Sequence, residues 1–273
     1  MPEHILSLSY GKDSLACLGA IEQLGWPLER IVHAEVWATD TIPADLPPMV
    51  EFKKKADKII LERWGIEVEH IFAEKYGEKW TYEKNFYMSV KSENLQKRLA
   101  CKNWVNRGIS NIYGFPSRKG PWCNKLKFRG SIGWTESNTY VGIAADEAER
   151  IERWKGRLMM PLVEIGWTED MCRQWCEENG LLSPIYTTAT RGGCWFCHNQ
   201  SVGQLRLLRK NYPDLWALML KWDADSPVTF HADGHTVHDF DRRFQLEDDG
   251  MISPDDKVFR WEMLEQELNM RWF

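Results

Sequence analysis

Ile5-Leu6-Ser7-Leu8-Ser9-Tyr10-Gly11-Lys12-Asp13-Ser14 is a short apolar run that ends in a small polar turn, with Leu15, Leu18 and Ile21 following at helical spacing. The pattern predicts a strand over Ile5 to Ser9 and a helix over Ser14 to Leu24, stopped by Gly25 and Pro27. A strand that passes into a helix through a glycine turn aims backbone N–H groups and the positive end of the helix dipole at one point. That arrangement suits an anion such as a phosphate. Lys12 adds a point charge there, and Ser9 and Ser14 add hydroxyl donors. Asp13 fits beside phosphates either as a magnesium ligand or as a helix cap. The turn lacks the glycine spacing and the Gly-Lys-Ser/Thr ending of a Walker A loop, and it lacks the three-glycine dinucleotide fingerprint.

Outward from this turn, Ile31 to Trp37 reads as a second strand, Met49 to Trp64 as a patterned helix behind Pro43, Pro47 and Pro48, and Ile66 to Phe72 as a third strand. Strand–helix–strand–helix–strand at this spacing predicts βαβ units and a parallel sheet, with ligands at the edge where the strands end. Glu74 to Pro121 is less regular. Thr139 to Ala144 reads as a strand, Leu158 to Val163 as a further short strand or extended piece, and Thr168 to Asn179 as a helix with Thr168 as N-cap. Ser201 to Trp222 predicts a long helix broken before Pro213. Val228 to Phe240 predicts a hairpin turning at Asp233-Gly234, and Lys257 to Met270 a last helix.

The 273 residues suffice for one large domain or a domain with an appendage. A net charge of −5 argues against a general nucleic-acid binder, which is usually basic. The charge is uneven, with Arg118, Lys119, Lys125, Lys127 and Arg129 clustered without an acid between Ser117 and Arg129. Such a strip on an acidic chain suits a small anion better than a duplex. The N-terminal stretch has neither the basic start nor the long apolar run of a signal peptide, and no stretch reaches the ~18 apolar residues of a membrane span. The expectation is a cytoplasmic protein with no membrane partner, whose seven cysteines stay reduced.

Ser9 to Ser14 resembles the PP-loop, Ser-Gly-Gly-x-Asp-Ser, with Tyr10 in place of one glycine. Three further stretches follow in an order similar to that of the phosphoadenylylsulfate (PAPS) reductase-like family. They are Trp122-Cys123-Asn124-Lys125-Leu126-Lys127, then Gly142-Ile143-Ala144-Ala145-Asp146-Glu147 with Arg150, and then Pro161 to Thr168 leading through Ser183-Pro184-Ile185-Tyr186 to Arg191-Gly192-Gly193-Cys194-Trp195-Phe196-Cys197. The resemblance covers roughly residues 1 to 198. It implies an α/β fold with a Rossmann-like parallel sheet of the adenine nucleotide alpha hydrolase type and a C-terminal helical extension. The implied division is a nucleotide-binding domain over residues 1–190 and a cysteine knuckle with helices over 191–273.

The resemblance also implies an adenine-nucleotide-dependent enzyme of sulfur metabolism or sulfur transfer, holding ATP, or PAPS or APS, with Mg2+. Ser9, Tyr10, Gly11, Lys12, Asp13, Ser14, Gly142, Asp146, Glu147 and Arg150 would bind the nucleotide. Lys12, Asp13, Lys127 and Arg191 would serve the chemistry by neutralising charge as pyrophosphate leaves. Two departures shape this expectation: Ala144 stands where the family has an arginine, and no cysteine follows Cys197, where reductases carry a catalytic tail cysteine. ATP pyrophosphatase chemistry that adenylates or thiolates an acceptor is therefore expected ahead of thiol-dependent PAPS or APS reduction. A non-catalytic nucleotide sensor is the alternative of another class. A sulfur donor or reductant protein would be the partner, and a nucleic acid one conceivable acceptor.

Cys194 and Cys197 form a C-x-x-C knuckle that can point two thiolates at one ion. Cys123 resembles the family's upstream cluster cysteine, and Cys101 or His198 would complete the set, for a [4Fe-4S] cluster ahead of Zn2+. Cys17, Cys172 and Cys176 read as core residues. Asp40, after the second strand, is placed to meet a ribose or a metal, with Thr39 beside it. Asp146 and Glu147 either hold Mg2+ or only orient Arg150. His231, His235 and His238 read as a solvated loop. Trp104, Trp122 and Trp195, near the motifs, could stack on a base.

Overall fold

A computed structural model describes residues 3–75, 77–87, 114–116, 122–128, 138–187, 193–231, 233–254 and 261–262. The chain forms two compact units, Met1–Lys84 with Cys123–Trp195, and Asn85–Trp122 with Phe196–Phe273. The division drawn from the sequence at residue 190 differs from this one chiefly in assigning 85–122 to the first part.

In the first unit, β1 (Ile5–Ser7), α1 (Lys12–Leu24), β2 (Arg30–Glu35), α2 (Pro47–Trp64) and β3 (Val68–Phe72) run as the apolar pattern predicts. A fourth strand, Thr139–Tyr140, joins β1, so the sheet order is β3-β2-β1-(139–140) and every pairing is parallel. The fold is α/β with an all-parallel central sheet, compatible with a Rossmann-like arrangement. Both crossover helices end on a glycine in the left-handed region, Gly25 (φ 64°) and Gly65 (φ 68°). Without a Cβ, glycine takes this conformation at little cost and lets the chain turn back toward the sheet. Leu6, Leu15, Leu18, Ile31, Ala56 and Ile60 fill the core on one sheet face. Each large aliphatic side chain buried there contributes roughly 1.5–3 kcal/mol.

α1 is also covered on its far side by the helix Glu169–Glu178, so Cys17, Cys172 and Cys176 are fully buried, as expected. Thr168 caps that helix by accepting a hydrogen bond from Met171 N–H. Two strand expectations are corrected here. The strand expected to reach Ala144 ends at Tyr140 because the chain's hydrogen bonds go elsewhere: Val141 N–H to Met159 O (3.0 Å) and Ala145 N–H to Trp167 O (2.8 Å). The piece expected over Leu158 to Val163 makes one parallel bridge, Tyr140 to Met159, and then Pro161 opens a short helix, Pro161–Glu164. Proline fits the first turn of a helix, where its missing N–H has no intrahelical partner.

The second unit contains the helices Val202–Asn211 and Pro213–Asp225, broken at Pro213 as expected. Phe86, Phe115 and Phe230 meet edge to face, with centroids 5.3 and 5.1 Å apart. The hairpin expected over Val228 to Phe240 is a tight turn, with Gly234 N–H on His231 O, followed by the helix Val237–Asp248. Thr236 and Asp239 form a capping box there, and Val237, Phe240 and Phe244 are buried at helical spacing. His231, His235 and His238 each face a different aspartate, Asp233, Asp239 and Asp223, and do not converge. The final helix expected over Lys257 to Met270 lies almost wholly outside the described residues. No helix among the described residues is long and apolar enough to cross a membrane.

Candidate functional site

The sheet order reverses direction at β1. The chain leaves β1 through α1 to one neighbour, and the fourth strand lies on the other side. Ligands of open parallel sheets bind beyond the strand ends at such a point. Residues 8–11 form the turn here, and Gly11 is the N-cap of α1, offering no side-chain acceptor. Ser14 Oγ accepts from Ser9 N–H (3.1 Å) and donates to Gly11 O (3.0 Å), while the Ser9 and Ser14 hydroxyls lie 3.0 Å apart. The amide of Lys12 donates to the phenol oxygen of Tyr186 (3.0 Å). Hydroxyl oxygens thus satisfy amides that would otherwise face an anion.

Gly142 explains how the fourth strand completes the turn. A Cβ at this position would lie 2.4 Å from Ser14 N and 2.6 Å from Asp13 C. The exit of the fourth strand therefore presses backbone to backbone on the first turn of α1, which only a glycine allows.

A cavity of about 460 Å³ opens beside the turn and falls in the roughly 300–1,000 Å³ range of small-molecule sites. Ser9, Gly11, Tyr186, Lys127, Gly193 and Cys194 line the end near the turn. Val36, Leu46, Met49, Asp45 and Lys53 line it beyond the end of β2.

Lys12 is buried and ion-paired with Asp13 (2.7 Å) and Glu169 (2.9 Å). Burial works to lower its pKa, but the bonds to the two carboxylates outweigh burial and raise it. Asp13 is pushed up, because burial, with help from Glu169 and Glu147, exceeds the pull of Lys12. Both oxygens of Asp146 accept from Glu169 N–H (3.1 and 3.3 Å). Glu147 accepts from Ala144 N–H (3.1 Å) and from Arg150 (2.6 Å).

Asp40 is corrected. It is exposed and ion-paired with Lys84 (2.9 Å), and Thr39 accepts from Ile42 N–H in the same surface turn. The carboxylate after β2 that lines the cavity is Asp45. Tyr10 lines the same cavity. It stands at φ 56°, a left-handed conformation that costs a non-glycine residue about 1–3 kcal/mol. Its fully buried ring packs edge-on to His33 (4.8 Å), and its hydroxyl binds Asp57 and His70. This anchorage offsets the strain that a glycine would avoid. Trp195 and Trp122 are buried with their indole N–H groups on Pro43 O and Gly114 O, so neither offers a face for stacking.

The sequence reading missed the polar cluster behind Tyr10. His33 Nδ1 lies 2.8 Å from Leu8 O and Nε2 lies 2.7 Å from Lys53 Nζ. A carbonyl only accepts and an ammonium only donates, so His33 is neutral with its proton on Nδ1. Burial, and then the Lys53 charge, bring its pKa down to about 4. His70 is the opposite case. Asp57 and Glu35 accept from its two nitrogens and raise its pKa to about 9. Nothing in the β2 and β3 alternation distinguishes these histidines from surface residues. The sole signal is Lys53, a charge on the apolar stripe of α2 beside Met49, Phe52 and Ala56.

Cys123 and Cys194 belong to the first unit and Cys197 to the second. Cys101 and Arg191, with Trp104, lie outside the described residues. Among the described residues no group of three or more His, Cys, Asp or Glu is placed to hold a metal. The described donors do not by themselves make a four-ligand site.

No family model matches the chain, and no curated protein and no solved structure matches it either.

Proposed function

We propose that the chain is an adenine-nucleotide-dependent enzyme of the PP-loop ATP pyrophosphatase type, related to PAPS reductase-like proteins and acting in sulfur transfer. The observation that carries the reading is the Ser9–Ser14 turn. It lies at the reversal point of a parallel sheet, beside a cavity, with its amides held by exchangeable hydroxyl oxygens. A polyphosphate oxygen would replace such a hydroxyl with a charged acceptor, which makes a stronger bond to an amide.

On this reading Lys12 turns from Asp13 and Glu169 toward the phosphates, and Lys127, exposed and on the cavity wall, meets them from the other side. Mg2+ carried in with the polyphosphate would be held by Asp13, and it would supply charge neutralisation at the leaving pyrophosphate. Charge that develops between the α and β phosphates is then met by fixed amides and a lysine, which is electrostatic stabilisation of the transition state. The apolar wall beyond β2, with Val36, Leu46 and Met49, suits a base.

The test is pyrophosphate release from ATP across a panel of sulfur and oxygen acceptors. Release that depends on an acceptor and is lost in Lys12→Ala supports the reading. Absence of both nucleotide binding and release removes it.

A further inference from the structure

Asp45, Lys53 and His33 form a hydrogen-bonded chain that the proposed chemistry does not use. Lys53 Nζ donates to Asp45 (2.5 Å) and to His33 Nε2 (2.7 Å), and His33 Nδ1 donates to Leu8 O (2.8 Å). Leu8 directly precedes the phosphate-binding turn. The carboxylate of Asp45 is therefore linked through three hydrogen bonds to the backbone that sets that turn. The backbone just before Asp45 is held as well. Ala44 N–H donates to Val36 O (2.9 Å), Trp195 N–H to Ala44 O (3.0 Å), and the Trp195 indole to Pro43 O (2.9 Å).

Exposure decides which charge a ligand would meet. The Lys53 side chain is 8% exposed and that of Asp45 26%. Lys53 also lines the cavity, but it is the less exposed of the two, and two of its protons are directed to His33 and Asp45. A ligand in the cavity thus meets the carboxylate more than the ammonium. A buried lysine is costly unless paired, and the pairing places its partner on the cavity wall.

We infer that Asp45 is the sugar-reading residue of this site and selects a nucleotide whose ribose hydroxyls are free over one that carries a 3′-phosphate. The inference rests on the nucleotide reading above. In parallel sheets that bind a nucleotide's phosphates after the first strand, a carboxylate beyond the second strand accepts from the ribose hydroxyls. The same carboxylate repels a phosphate at the sugar, because two anions at contact distance in a partly buried site cannot both be solvated. Asp45 lies past the end of β2 rather than on it, but it brings a carboxylate to the cavity wall on that side, and this assigns the cavity to ATP or another nucleotide with an unmodified ribose rather than to PAPS.

The experiment is calorimetric binding of AMP, 3′-deoxy-AMP and adenosine 3′,5′-bisphosphate to the full chain and to Asp45→Asn. Asparagine keeps an oxygen for Lys53 but removes the charge. The expected result for the unaltered chain is binding of AMP about tenfold or more tighter than of either analogue, the scale of a lost charged hydrogen bond. In Asp45→Asn the penalty for the 3′-phosphate should shrink to roughly threefold or less. Equal or tighter binding of the bisphosphate by the unaltered chain overturns the inference, and that arm needs no variant to fold. An unchanged AMP-to-bisphosphate ratio in a folded Asp45→Asn overturns it too. Failure to bind these three and ATP as well removes the nucleotide reading itself, a different outcome from binding without discrimination, and ATP binding without any binding of AMP overturns the reading of the sugar by Asp45.

Discussion

The phenol oxygen of Tyr186 accepts the backbone N–H of Lys12 at 3.0 Å, so a side chain from a distant turn occupies the first amide of α1. If a phosphate takes that amide, Tyr186 must yield it. Tyr186→Phe removes the competitor and leaves the ring in place. The expected outcome is several-fold tighter binding of pyrophosphate or ATP, on the scale of a hydrogen bond worth ~1 kcal/mol. Titration calorimetry checks it. Weaker binding would instead make the hydroxyl a direct ligand.

Lys12 is shared between two carboxylates, and the two should separate by charge. Lys12→Met removes the cation while keeping the stem and should weaken ATP binding by about tenfold or more, the scale of a charged hydrogen bond. Glu169→Gln removes a competitor for the ammonium at a half-exposed position. It should leave stability almost unchanged and tighten ATP binding modestly. Nucleotide titration of both variants, with thermal melts as the control, distinguishes these outcomes.

Gly142→Ala is expected to destabilise the fold by about 1–3 kcal/mol, because the new methyl would meet backbone atoms of Asp13 and Ser14 that cannot move aside. Gly203→Ala is the contrast. Its nearest neighbour is Ser201 Oγ at 4.0 Å and it lies within the helix Val202–Asn211, so alanine should be neutral or stabilise by about 0.5–1 kcal/mol. Chemical denaturation of both variants reads the difference.

His33 and His70 set opposite limbs of the pH–stability curve. His70 starts from 6.5 and is raised to about 9, so its contribution is complete below pH 6.5 and is lost as pH rises through about 9. His33 starts from 6.5 and is lowered to about 4, so stability is lost as pH falls from 6.5 toward about 4, where the fold must accept a buried proton. The pair favours a maximum near the shared starting value. His70→Gln should flatten the alkaline limb and leave the acid limb, as read by urea midpoints from pH 4 to 10. An alkaline limb unchanged by that substitution would refute the assignment.

The parallel sheet and its two crossover helices were legible because Leu6, Leu15, Leu18, Ile31 and Ile60 carry simple strand and helix periods, closed by Gly25 and Gly65. The turn was legible for the same reason, through Gly11 and Lys12 between an apolar strand and an apolar helix. Asp40 reads from the sequence as the carboxylate after the second strand because sequence shows only distance from a strand end. The deciding fact is three-dimensional: Trp195 holds residues 43–44 so that Asp45 meets the cavity and Asp40 does not. Tyr186 was quoted within a motif without a role, since its contact spans 174 residues of chain. The helix at Val237 was missed although Thr236-x-x-Asp239 and the buried 237/240/244 spacing were present. The Asp233-Gly234 turn signal was allowed to outweigh them.

α1 is gripped on both sides. Its first turn meets Gly142, Cys176 Sγ donates to Lys12 O (3.2 Å), and Gly19 leaves room for the Trp175 indole, which a methyl there would strike at 2.5 Å. A rod held in this way has no hinge. Adjustment of this turn to an incoming guest must then come from rotamer changes in Tyr186 and Lys12 rather than from the swing of a flap. Admission of a guest at this end of the cavity should accordingly leave the backbone of the first turn where it stands.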